Sequence, residues 1–112
     1  MSKFFQFSSR KITVQFFSGA NAVFVPLTIS DETDKAFVRG AELLKKGTEA
    51  ADIQQRLGFW TEAVDALIGE DARKRILAQA PEQDCFAVAE IYRYVVDTYG
   101  AVKVKNLSAS AR

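Results

Sequence analysis

The 112-residue chain contains no histidine and a single cysteine, Cys85. One cysteine cannot form a disulfide within the chain, and without histidine the usual ligands for zinc and similar metals are missing. A serine or cysteine nucleophile would also have no histidine partner. These absences exclude many classes of enzyme and metalloprotein, and no cofactor is expected.

Long apolar runs and clustered glycines are absent as well. No apolar run approaches the roughly 18 residues that a membrane span needs. Arg10 and Lys11 interrupt the aromatic start of the chain before a signal peptide develops. The six glycines stand apart from one another, so there is no glycine-rich loop for phosphate. The sequence therefore predicts a cytoplasmic protein with no membrane contact.

Charge is unevenly distributed, although the net charge is only +1. Residues 1–30 and 101–112 each carry three basic residues and no acidic one, whereas residues 31–100 carry nine basic and fourteen acidic residues. An acidic body between two basic segments favours head-to-tail pairing of copies, but chance asymmetry explains the pattern equally well. A homo-oligomer is the expectation.

Patterns typical of β-structure occupy the N-terminal quarter of the chain. Residues 12–16 alternate apolar and polar, 18–21 is predicted to be a turn, and 22–29 the return strand of a hairpin. Pro26 cannot donate to a ladder, so its strand is predicted to be an edge or to bulge there. A further short strand is predicted at 4–7. So few strands are marginally stable alone and must pack on helices or on a neighbouring subunit, where they are expected to drive self-association.

The first helix is predicted between a cap at Ser30 or Asp31 and a stop at Gly47. Acidic residues follow the cap, where the helix dipole favours them, and two lysines precede the glycine. Thr48 is then predicted to cap the second helix.

The second helix carries one continuous apolar seam. Its members recur at intervals of 4, 3, 4 and 3 residues and are Ile53, Leu57, Trp60, Val64 and Leu67. Such a seam is more often buried core than an exposed groove, and Trp60 at its centre is predicted to be a buried anchor. Gly58 lowers the helix propensity, which suggests that another element approaches closely there. Gly69 is predicted to end the helix.

A short third helix is predicted to begin at Glu70 and to carry the densest basic cluster of the chain, Arg73, Lys74 and Arg75. A solvated helical face is the favoured interpretation of this cluster. Contact with nucleic acid would need more basic residues on the same surface, and acidic residues lie beside it.

The last helix is predicted between a cap at Asp84 and a stop at Gly100. Its apolar stripe is formed by Cys85, Val88, Tyr92, Val95 or Val96, and Tyr99. Residues 101–112 are expected to be a flexible basic tail with one short strand at 102–104.

These elements predict one α+β domain over residues 1–100. An N-terminal β-hairpin or small antiparallel sheet, within 1–29, precedes a compact region of four helices, within 30–100. No linker is long enough to divide the chain into two domains.

Two acidic pairs are the only candidates for a hard-metal or acid–base site, Asp31/Glu32 and Glu70/Asp71. Both pairs lie at predicted helix starts, where capping and the helix dipole alone favour carboxylates. No catalytic constellation is recognisable, so a non-enzymatic protein is expected.

The order of elements after Phe59 carries a family resemblance. The Phe59-Trp60 pair opens this stretch, and the helix ends in an apolar-Gly-Glu turn within 66–72. A basic segment, a short break and a helix containing Phe86 and 94–96 follow. This arrangement resembles small tail proteins of long-tailed phages and prophages, of the tail assembly chaperone type.

The resemblance implies a protein that holds the tape-measure protein while tail-tube subunits polymerise, with apolar helical seams as the contact surface. The candidate partner-binding residues are Phe59, Trp60, Tyr92, Tyr99, Arg73, Lys74 and Arg75. One alternative is a structural tail or connector component of the virion, whose strands augment a sheet of the next subunit. A small nucleic-acid-binding regulator is a further alternative, disfavoured by the charge.

Overall fold

The computed structural model of the chain describes residues 3–110. An antiparallel pair of strands and a short 3₁₀ turn (Gly19–Asn21) precede four α-helices, which confirms the predicted α+β class. The elements are β1 (Lys11–Phe16), β2 (Val23–Thr28), α1 (Asp31–Glu49), α2 (Ile53–Ile68), α3 (Glu70–Leu77) and α4 (Cys85–Ser110).

The hairpin covers one side of the helical core. The inward side chains of its strands are buried and are Ile12, Val14, Phe16, Val23 and Val25. The Ile29 N–H donates to the Arg10 carbonyl at 2.7 Å, and hydrogen-bonded and non-hydrogen-bonded residue pairs alternate along an antiparallel ladder. The pair of Thr13 and Pro26 is therefore non-hydrogen-bonded, and an N–H at position 26 would point away from β1. Pro26 therefore lies on the free edge, as predicted. The strand predicted at 4–7 is not formed, since no strand or helix is assigned over 3–10.

Helix α1 extends beyond its predicted stop, because Gly47 lies inside the helix. Ser30 caps its start by accepting from the Thr33 N–H at 3.2 Å. The predicted cap at Thr48 is wrong: its hydroxyl donates to the Leu44 carbonyl, and Asp52 caps α2 instead, by accepting from the Gln54 N–H at 3.0 Å. Gly47 and Thr48, which the sequence predicted to separate the first two helices, therefore lie in the last turn of α1.

Two glycines inside α1 lie where neighbouring helices approach closely. A Cβ added at Gly40 would be 3.3 Å from both Leu67 and Tyr92, and one added at Gly47 would overlap the Trp60 indole. The close approach predicted at Gly58 is wrong, because a Cβ there would meet nothing within 4 Å. The glycines that permit tight packing therefore belong to α1 and not to α2.

Helix α4 begins where predicted, with Asp84 accepting from the Ala87 N–H at 3.1 Å. The predicted stop at Gly100, the separate tail and the strand at 102–104 are wrong, because α4 continues to Ser110. Contacts elsewhere in the chain hold this extension: Lys103 bonds to Asp34 at 2.8 Å, and Asn106 donates to the Ser9 carbonyl at 2.6 Å. The last two tail residues lie outside the described part of the chain.

The core lies between the hairpin, α2 and α4. Its most deeply buried large side chains are four valines, Val14, Val64, Val88 and Val95. The seam of α2 divides accordingly: Val64 and Leu67 belong to the core, Trp60 is half-buried, and Ile53 is exposed at the start of the helix. Within residues 3–110, no helix has the length and apolar character needed to cross a membrane.

Candidate functional site: an apolar groove between α1, α2 and α4

An open groove of about 730 Å³ runs along α4 on the side that faces the end of α1. Its volume is within the range of about 300–1,000 Å³ found for ligand pockets. The lining residues come from three helices and are Leu44, Thr48, Trp60, Phe86, Ala89, Glu90, Tyr92, Arg93, Val96 and Asp97. From Phe86 to Asp97 the α4 wall is about 16 Å long at 1.5 Å per residue, which is three helical turns.

Trp60 forms a fixed part of this groove. Its indole Nε1 donates to the Leu44 carbonyl at 3.0 Å, and the ring fills the space left by the missing side chain of Gly47. The Arg56 guanidinium lies 5.7 Å from the ring centroid, and its Nε also donates to the Gly47 carbonyl at 3.2 Å. Trp60 is therefore held against α1 from several sides, and its indole has a fixed orientation.

Phe86 is the most exposed aromatic residue of the groove, with 78% of its surface accessible. Three charged residues, Glu90, Arg93 and Asp97, follow it along the same wall. Among the described residues, none of the three has an ion-pair partner within 4.0 Å. The groove thus combines apolar lining with uncommitted charges at its rim.

The predicted partner-binding aromatic residues have different positions. Trp60 and Tyr92 both line the groove, although Tyr92 is only 9% exposed and burial raises the pKa of its phenol. Phe59 is half-buried and packs against the core. Tyr99 is 4% exposed, which places it in the core and not on a docking surface. The structure therefore brings two of these four residues together.

The basic cluster of α3 does not form one free surface. Arg73 donates its Nε to Asp65 at 2.5 Å, and its side chain is only 15% exposed. Lys74 pairs with Glu70 at 2.7 Å in an exposed intrahelical pair, and Arg75 is exposed. The predicted solvated face therefore holds for Lys74 and Arg75 but is wrong for Arg73, which is largely shielded. Two of the three basic groups are bound to carboxylates of the same chain, which disfavours a nucleic-acid surface.

A second cluster joins the start of α1 to the extended end of α4. Asp34 accepts hydrogen bonds from the Tyr99 hydroxyl and from Lys103 Nζ, both at 2.8 Å, and Tyr99 stacks on Phe37 with centroids 4.4 Å apart. The bonds from Lys103 and Tyr99 lower the pKa of Asp34, while burial and Asp34 raise the pKa of Tyr99 to about 12. Neither group exchanges protons near neutral pH, so this cluster stabilises the fold and does not resemble an acid–base site.

The two acidic pairs considered from the sequence occupy the first turns of α1 and α3, as predicted. Over residues 3–110, no group of three or more cysteine, aspartate and glutamate side chains is arranged to hold a metal ion. The groove is larger and more apolar than the cavity beside Asp34 and Lys103, and we take it as the candidate site.

Phe86 was not among the predicted partner-binding residues, although its position in the sequence carries a signal. Its signal was its position: Phe86, Glu90, Arg93 and Asp97 follow at helical spacing, so Phe86 is a large apolar residue at the end of a charged face. Such a residue contributes little to the core.

Comparisons of the chain with protein-family models, with curated proteins and with solved structures give no match.

Proposed function

We propose that this protein is a non-enzymatic binding protein whose groove between α1, α2 and α4 holds an amphipathic helix of another protein. The observation that carries this proposal is the groove itself, with Trp60 fixed in its wall and Phe86 exposed at its end. Fixed aromatic groups are typical anchors of protein interfaces because they bury a large area at a small entropic cost.

A helix is the occupant that fits this shape. The α4 wall is about three turns long, which matches about eleven residues of a partner helix at 1.5 Å per residue. Apolar side chains at helical spacing on that partner would enter between Trp60 and Val96, and its polar face would remain in water. The rim residues Glu90, Arg93 and Asp97 would select complementary charges beside the apolar stripe.

The family resemblance supplies the class of partner. A tail assembly chaperone acts in the cytoplasm of the bacterial host and keeps the long helical tape-measure protein soluble until tail-tube subunits polymerise around it. The tape-measure protein is therefore the proposed client. Because the contact is mainly apolar, the complex should survive moderate salt.

Co-expression tests this function. The protein, produced together with the tape-measure protein of the same genome, should raise the soluble yield of that protein and co-purify with it. The Ala89→Arg variant, which places a long cation in the groove wall, should lose both effects. Ala78→Arg, at an exposed position after α3 and outside the groove, is the matched control and should retain them. A tape-measure protein that stays insoluble with the wild-type protein would contradict the chaperone function.

A structural component of the tail or connector is the second candidate. The exposed phenylalanines of the N-terminal segment, Phe4, Phe5 and Phe7, favour it, since a lasting contact with a neighbouring subunit would cover them. Augmentation of the sheet by another strand is less favoured, because Pro26 lies on one edge and Tyr94 bonds to the Gln15 carbonyl of β1 at 2.7 Å. Mass spectrometry of purified particles separates the candidates: a chaperone is absent, whereas a structural component is present in stoichiometric amount.

A further inference from the structure

Helix α4 has an exposed outer face, and the part of this face from Phe86 to Asp97 also forms one wall of the groove. Phe86, Glu90, Arg93, Asp97 and Val104 follow one another at intervals of 4, 3, 4 and 7 residues, which places them along one line of the helix. All five are exposed, and Phe86 and Val104 remain 78% and 65% accessible. This outer face therefore has an apolar residue near each end and charged residues between them.

Gly100 lies on the same face, inside the helix. A Cβ at this position would meet nothing within 4 Å among the described residues. Without a side chain there, a second helix can approach α4 closely at this level.

The face is complementary to itself in one orientation. Two copies of α4 can pack antiparallel about a two-fold axis at the level of Val95. Each residue then faces the residue of the second copy that lies equally far from position 95 on the other side. Phe86 then faces Val104 of the second copy, and Glu90 faces Gly100, where space for a longer side chain exists. The symmetry repeats each contact, as a two-fold interface requires.

The charges select the same arrangement. Across this axis Arg93 faces Asp97 of the second copy, and Asp97 faces Arg93, which gives two ion pairs. Neither residue has an ion-pair partner among the described residues of its own chain. A parallel pair in register would instead place like charges opposite one another, which is unfavourable.

We propose that the outer face of α4 binds the same face of a second copy of this chain in antiparallel orientation. Two apolar contacts then flank two ion pairs, and Gly100 permits the close approach. Because Phe86, Glu90, Arg93 and Asp97 also line the groove, a second copy and the partner helix of the proposed function compete for this wall, and the dimer is the form of the protein without its partner helix.

Charge reversal tests the dimer by sedimentation. The wild-type protein should change with concentration from 12.4 kDa to twice that mass. Arg93→Asp and Asp97→Arg should each weaken dimerisation more than tenfold, because each places like charges opposite one another twice. An equimolar mixture of the two variants should recover a dimer, since both ion pairs reform between unlike chains. Arg39→Asp on the exposed surface of α1 is the control and should behave as the wild type.

Disulfide trapping tests the register. With Cys85 replaced by serine, the double variant Phe86→Cys, Val104→Cys should form an oxidised dimer readily, whereas either single variant should not. A wild type that remains a monomer, single charge reversals that remain dimers, or a mixture that remains monomeric would each overturn the proposal. Efficient trapping of the single Phe86→Cys variant would do so as well, because it indicates a parallel pair.

Discussion

Gly47→Ala should destabilise this protein, although the same change stabilises most helices. Gly47 lies inside α1, and alanine there would gain about 0.5–1 kcal/mol of helix propensity. Its Cβ, however, would overlap Cδ1 and Nε1 of the Trp60 indole and lie 3.2 Å from the Arg56 carbonyl oxygen. The indole or the whole of α2 must therefore move.

The magnitude follows from the contacts that such a movement disturbs. Overpacking a tight contact costs about 1–3 kcal/mol. A displaced indole also loses its hydrogen bond to Leu44, which contributes about 0.5–1.5 kcal/mol. After the gain in propensity is subtracted, the free energy of unfolding should fall by about 0.5–4 kcal/mol. Each kcal/mol should lower the Tm by about 4 °C in a domain of this size.

Gly58→Ala is the matched control. Gly58 also lies inside a helix, but a Cβ there meets nothing within 4 Å, so this variant should gain up to about 1 kcal/mol. Urea denaturation followed by circular dichroism measures both variants. The account of α1–α2 packing is refuted if Gly47→Ala is as stable as Gly58→Ala.

A double-mutant cycle assigns the cost to the indole. Phenylalanine at position 60 lacks the five-membered ring that carries Cδ1 and Nε1. In the Trp60→Phe background, Gly47→Ala should therefore lose most of its penalty, which gives a coupling free energy of about 1–3 kcal/mol. A coupling near zero would mean that the strain lies elsewhere, for example at the Arg56 carbonyl.

Three further predictions concern the rest of the fold. Gly69→Ala should cost about 1–3 kcal/mol, because Gly69 has φ 87° and ψ 156°, a conformation that other residues rarely adopt; thermal unfolding beside the Gly58 control measures this. Arg73→Ala should destabilise the protein by about 1–3 kcal/mol, because it breaks a largely shielded ion pair with Asp65. Lys74→Ala breaks an exposed pair and should cost less than about 1 kcal/mol, so equal losses of stability in the two variants would contradict this prediction. The pKa of Tyr99 rises from 10.0 to about 12 on folding. The stability that this shift contributes is therefore complete below pH 10 and is lost as the pH rises toward 12. The Tyr99→Phe variant should lose less stability than the wild type between pH 10 and pH 12.

Much of the fold was predictable because local patterns determined it. Three features depend only on neighbours in sequence and agree with the structure: the apolar–polar alternation over 12–16, the cap at Asp84 and the helix end at Gly69. The wrong boundaries have a common cause. Gly47 and Gly100 were interpreted as helix stops from local preference alone.

Contacts between distant residues decide those two positions. Gly47 lies inside α1, where the Trp60 indole packs in the space that a side chain would fill. Helix α4 continues past Gly100, and the bond from Lys103 to Asp34 holds the part beyond it. No local pattern reports such contacts.

The groove was only partly predictable for the same reason. The α2 seam indicated that Trp60 was important, but whether it would be core or surface depends on how far α1 covers it. The structure shows an intermediate outcome, with the indole bonded to Leu44 and still lining the groove. Ala89 and Val96 carry no signal in the sequence that separates them from ordinary core residues of α4.

The affinity of the purified protein for helical segments of the tape-measure protein, measured by isothermal titration calorimetry, tests the proposed function most directly. Binding to the wild-type protein should have a negative heat-capacity change, because apolar surface is buried. Ala89→Arg should weaken binding at least tenfold, or about 1.4 kcal/mol, with unchanged thermal stability, and Ala78→Arg should bind as the wild type does. Binding that is equal in all three proteins, or absent from the wild type, would contradict the assignment of the groove as the docking site.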